Sequence, residues 1–174
     1  MIGLEILSRD LVAELQRVSS AKQRAASLAA SEFAISHAQV EHPLVDKALG
    51  KLRTMGVFTP QEKAQIDALT AQLDEEYFSL QEAAEEGRAS AEDYLRVFAK
   101  ARAVAALAFA GNEDSFRGAT ESIYEAAATI GSDDKGELFG LSKVCVGRMT
   151  ALTKESGQGT FSCAGSRLRI ALAR

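Results

Sequence analysis

Residues 4–40 contain neither glycine nor proline, and the whole chain has only two prolines, Pro43 and Pro60. A stretch of that length without a chain breaker has few ways to fold except as helix. Its apolar residues Leu4, Leu7, Leu11, Val18, Ala21, Ala25 and Leu28 recur in steps of three and four, the period of one helix face. One long helix, or two in line, is expected, with a coiled-coil-like seam whose heptad register breaks at Glu14 and Glu32. Elsewhere Ala, Glu, Leu, Lys, Arg and Gln, the strong helix formers, fill the long segments, and β-branched residues never alternate in long runs. The expected fold class is all-α: a single compact helical bundle of five to seven helices, with a long N-terminal helix and an irregular C-terminal arm.

The remaining helices are marked by their ends. Glu41-His42-Pro43 breaks the first, because the residue before a proline avoids helical geometry. A short helix over 44–55 follows, with Leu44, Ala48, Leu52 and Met55 on one face and Gly56 suited to its C-terminal cap. Thr59-Pro60-Gln61-Glu62 spells a capping box with proline in the first turn. The helix it opens carries Ile66, Leu69, Leu73, Tyr77 and Leu80 and ends near Gly87. Ser90-Ala91-Glu92-Asp93 caps the next, whose face of Tyr94, Phe98, Ala101, Ala105 and Ala108 is mostly small, inviting close approach by a neighbour. Phe116, Ala119, Ile123, Ala127 and Ile130 mark a helix over 114–130, and Leu138, Leu141, Cys145, Met149 and Leu152 mark another. Residues 1–155 thus form the expected helical domain. Residues 156–174 are Gly/Ser-rich, then basic, and are expected to form an arm packed on the domain or extending from it.

At 174 residues, with 47% hydrophobic and 25% charged residues, the composition is that of a folded globular domain. Two cysteines, Cys145 and Cys163, are too few for a disulfide scaffold or a Cys-based zinc site. No apolar run reaches the roughly 20 residues of a membrane span. Met1 to Asp10 lacks the basic start and apolar run of an export signal, so the expected compartment is the cytoplasm, with both cysteines reduced. The net charge of −4 weighs against general nucleic-acid affinity. That charge is uneven: residues 143–174 carry a net +5, while residues 74–93 set eight carboxylates against Arg88 alone, a net −7.

Residues able to carry chemistry are scarce. His37 and His42 are the only histidines, and no Glu-x-x-His pair exists for a metal bundle; Glu32, His37 and Glu41 fall on different faces or at the helix break. Glu82 and Glu85, three apart, share a helix face and can in principle hold Mg²⁺, yet the following helix supplies no second pair at matching spacing. Cys145 lies on an apolar stripe, and neither cysteine has a histidine near it in sequence to act as a base. Gly157-Gln158-Gly159 lacks the lysine and the preceding strand of a phosphate loop. Arg167, Arg169 and Arg174 have no interleaved aromatics for base stacking.

No catalytic residue, metal or cofactor is therefore expected. The expected function is a non-enzymatic helical protein-interaction module, of adaptor, inhibitor or immunity type. Its binding face is the acidic one carrying Glu75, Glu76, Glu82, Glu85 and Glu86, and its partner is a basic protein or a second copy of the chain. One alternative is a small-molecule-binding or Mg-dependent hydrolytic bundle using Glu82 and Glu85. Another is a self-assembling structural protein that uses the Leu4–Leu28 stripe as its seam.

Overall fold

The glycine- and proline-free run folds as three helices rather than one. In a computed structural model, which describes residues 3–130, 138–140 and 142–143, α1 spans Gly3–Leu7, α2 Arg9–Arg17 and α3 Ser20–His37. Serine makes the first break. Ser8 takes extended backbone, and its hydroxyl accepts the Leu11 N–H, capping α2. Val18 and Ser19 are also extended between α2 and α3. Serine side chains compete for backbone hydrogen bonds and so favour caps over helix interiors. The expected heptad breaks do not coincide with these: Glu14 lies inside α2 and Glu32 inside α3.

Four further helices follow: α4 Pro43–Arg53, α5 Pro60–Glu85, α6 Ala91–Ala110 and α7 Ser115–Ala128. Residues 138–140 and 142–143 are also helical, and among the described residues there is no strand. The all-α class holds. The residues from 144 on, including Cys145, Cys163 and the arm 156–174, lie outside the described residues.

The core is where α3, α6 and α7 meet. Their facing residues are small: Ala26, Ala30 and Ala34 on α3, Ala103, Ala106 and Ala110 on α6, and Ala119 and Ala126 on α7, all buried. Small side chains let helix backbones come close enough for hydroxyls to reach neighbouring carbonyls. Ser31 Oγ donates to Ser27 O and Ala106 O, and Ser122 Oγ donates to Ser27 O. Leu4, Leu11 and Leu15 from α1 and α2 close one side of this core, packing on α7. The Leu4–Leu28 stripe is therefore committed inward at Leu4 and Leu11, which are fully buried.

The placement of α5 decides where the surface lies. Its start is fixed from two directions. Thr59 and Glu62 form the expected capping box, and Lys51 of α4 reaches Glu62. Phe58 donates its N–H to Gly111 O at the end of α6, and its ring lies so close that a Cβ on Gly111 would sit 2.0 Å from it. From there α5 runs along α6 and packs on little else. Of its expected core stripe only Ile66 is buried; Leu69 and Leu73 reach the core edge, while Tyr77 and Leu80 are half-buried and lie outside it. The far halves of α5 and α6 form a two-helix tip that extends beyond the core. It is held by Tyr77 packing against Tyr94 and Phe98, with ring centroids 6.0 and 5.4 Å apart.

Three helices end in the same hydrogen-bond pattern, with one residue in the left-handed region. At α5 that residue is Gly87 (φ 73). At α3 and α4 it is Gln39 (φ 52) and Met55 (φ 60). Gly56, the expected cap, instead donates its N–H to Lys51 O one position further on.

Candidate functional site

The outward face of α5 at this tip combines charge with an exposed aromatic ring. Phe78 follows Tyr77 directly, so the two rings leave the helix about 100° apart. Tyr77 turns toward α6, and Phe78, its ring centroid 5.0 Å from that of Tyr77, is left 59% exposed. Glu75 and Glu82 stand three before and four after Phe78, one turn to either side of its ring, and Glu85, seven after, lies on the same face a turn further on. All three are exposed. Among the described residues no cation lies within ion-pair distance of them or of Glu76, whereas Arg88 pairs with Glu86, Arg96 with Glu92, and Arg102 with Asp74.

The five expected face residues are thus not equivalent. Glu75, Glu82 and Glu85 form one patch with Phe78. Glu76 is exposed about 100° around the helix from Glu75. Glu86 is the residue that ends α5, and its carboxylate holds Arg88. Phe78 itself is not singled out by its sequence neighbourhood as a core residue: it interrupts the apolar stripe and has carboxylates at i−3, i+4 and i+7. That spacing is the signal by which it can be found.

Leu95, on α6, is the other large apolar side chain exposed on the tip, at 54%. Asp93 near it is occupied with capping α6. Its carboxylate accepts from the Ser90 hydroxyl and backbone N–H, which hold it below the usual carboxylate range.

At the base of the tip, Arg102 joins three helices. Its Nη2 is 2.6 Å from Asp74 on α5 and its Nη1 is 3.2 Å from Glu125 on α7. Its guanidinium also lies over the Phe98 ring, 5.6 Å from the centroid. Burial pushes the Glu125 carboxyl above its usual range, and Arg102 only partly opposes this. For Arg102 burial acts against the charge, and the two carboxylates outweigh it. Beside this group runs an open groove of about 340 Å³, lined by Lys63, Asp67, Arg102, Phe109 and Glu125 over small alanines. It is wide enough for a small molecule, but its charges already answer one another: Lys63 pairs with Asp67, and Arg102 with Asp74 and Glu125. A second hollow between α4 and α5 holds only about 70 Å³.

Of the candidate metal ligands, Glu82 and Glu85 share a face of α5, and Glu32, His37 and His42 lie on or beside other helices. Glu82 and Glu85 face outward, Glu32 pairs with Arg53, and His42 caps α4 by accepting the Leu44 N–H at Nδ1. His37 is exposed and stacks on Phe33. Among the described residues no three His, Cys, Asp or Glu side chains are grouped to hold a metal ion. No helix among them is long and apolar enough to cross a membrane. No protein-family model, curated protein or solved structure matches the chain.

Proposed function

We propose that this protein is a cytoplasmic, non-enzymatic interaction module that binds a basic partner protein through the outward face of α5. The observation that carries this reading is Phe78: a large aromatic side chain, mostly exposed, with Glu75, Glu82 and Glu85 on the same face and no described cation on any of the three. Fully burying such a ring is worth about 1.5–3 kcal/mol, and at 59% exposure Phe78 leaves roughly half of that unrealised. Interfaces use such rings as anchors at their centre, with charge around them to steer and select the partner. A partner suited to this patch presents an apolar pocket or ridge edged by arginine or lysine.

Native mass spectrometry of protein purified from its own cells tests the reading. The unaltered chain is expected to carry a partner protein. Phe78→Ala and the charge-reversed Glu75→Lys/Glu82→Lys are expected to lose it while remaining folded, because both change exposed positions. Glu113→Lys, exposed on the α6–α7 loop, is expected to keep it. A partner retained by all three variants, or a bare monomer throughout, contradicts the reading.

A further inference from the structure

The acidic tip leaves charge unanswered among the described residues, and the chain itself contains a segment of matching chemistry. Residues 156–174 include Arg167, Arg169 and Arg174 and no Asp or Glu. Arg167 and Arg169 alternate with Leu168 and Ile170, and Leu172 and Arg174 follow across alanines. The segment thus pairs cations with aliphatic side chains, as the face around Phe78 pairs carboxylates with an aromatic ring.

We propose that residues 167–174 dock in cis on the outward face of α5, with arginines on Glu75, Glu82 and Glu85 and aliphatic side chains on Phe78. The segment then covers the surface that a partner would use. Arginine suits the task because its planar fork engages carboxylates in two places and its flat face packs on aromatic rings. Reach is not limiting. Residues 144–166, which join the last described residue to the segment, span up to about 75 Å when extended, and α5 is only about 39 Å long. Joined to the same chain, the segment meets this face at roughly millimolar effective concentration, so a weak contact is populated within one chain well before it is populated between separate chains. The docking stands on surface and charge alone. Its consequence, competition with a partner, rests on the proposed function above.

The test uses the full chain labelled with ¹⁵N, compared with R167E/R169E/R174E. Spectra are taken at low salt and at about 0.5 M NaCl, where the screening length falls to roughly 4 Å. At low salt the amide signals of residues 75–86 are expected to differ between the two chains, and the difference is expected to shrink at high salt. A synthetic peptide of residues 165–174, added to the charge-reversed chain, is expected to restore the unaltered positions. It is expected to bind the unaltered chain roughly tenfold more weakly, because that face is already covered. Identical low-salt spectra of the two chains overturn the proposal. Shifts that fade on dilution, with a doubled mass, also overturn it, since they place the segment on a second copy. Partner capture and docking are read separately. These shifts without any co-purifying protein leave docking intact and remove the interaction reading; a co-purifying protein with identical spectra removes docking alone.

Discussion

Asp74 on α5 and Glu125 on α7 share the guanidinium of Arg102 on α6, at 2.6 and 3.2 Å. The core packs α6 and α7 through alanines, whereas α5 meets α6 largely outside it. Arg102 is thus a polar tie between the tip-bearing helix and the body. Its side chain is mostly covered, and so is that of Glu125.

Removing Arg102 leaves two carboxylates facing each other without their shared cation. Arg102→Met is expected to lower stability by about 1–3 kcal/mol, less than for a fully buried pair because solvent reaches Asp74. Arg102→Lys is expected to recover only part of that, since a single ammonium does not span both acceptors as a fork does. Urea denaturation of the three chains checks this. Equal midpoints for all three remove the tie from the account of the fold.

Glu62 and Glu125 give opposite dependences on pH. Lys51 and the backbone and hydroxyl of Thr59 hold the Glu62 carboxyl down at about 2. Its stabilising contribution is therefore present above its ordinary value of 4.5 and is lost as pH falls from there toward 2. Glu125 is raised, chiefly by burial, so its contribution is present below the ordinary carboxylate range and is lost as pH rises through the folded value. Glu62→Gln is expected to destabilise the protein at neutral pH, with the gap closing toward pH 2. Glu125→Gln is expected to compare more favourably with the unaltered chain at neutral pH than in acid. Melting temperatures across this range check both signs.

Gln39 and Met55 hold the left-handed cap position that Gly87 holds at the end of α5. A side chain there costs about 1–2 kcal/mol, offset in part by the roughly 0.4–1 kcal/mol of unfolded-chain entropy that glycine brings. Met55→Gly and Gln39→Gly are each expected to stabilise the fold by about 0.5–1 kcal/mol, and Gly87→Ala to destabilise it by a similar amount. Thermal denaturation checks these signs. A loss of stability in both glycine variants would show that the Met55 and Gln39 side chains contribute contacts that outweigh the backbone cost.

Local chemistry was readable from the residues; coverage was not. Thr59 with Glu62 and Ser90 with Asp93 announced their helices because a capping box needs only four consecutive residues. The breaks at Ser8 and Val18–Ser19 were hidden because serine is tolerated inside a helix: Ser8 caps α2 with its hydroxyl, whereas Ser19 makes no side-chain cap bond at all. Met55 took the cap position expected of Gly56, a shift of one residue that apolar spacing does not register. The stripe from Ile66 to Leu80 looked like a core face, yet the same pattern serves a helix covered by one neighbour only. Of the five carboxylates expected on one acidic face, Glu75, Glu82 and Glu85 share a side of α5 with Phe78, while Glu76 lies elsewhere around the helix and Glu86 pairs with Arg88, a division that the acidic run does not reveal. The pairing of Arg102 with Asp74 and Glu125 joins three helices distant in sequence and leaves no local trace.

The most direct measurement of the central claim is site-specific photo-crosslinking in the protein's own cells. A benzophenone amino acid replaces Phe78 in one chain and Glu113 in another. Discrete adducts to another protein at position 78, absent at 113 and weakened by Glu82→Lys, are the result expected if the outward face of α5 is the binding surface. No protein adduct at 78, or the same adducts at both positions, would contradict it.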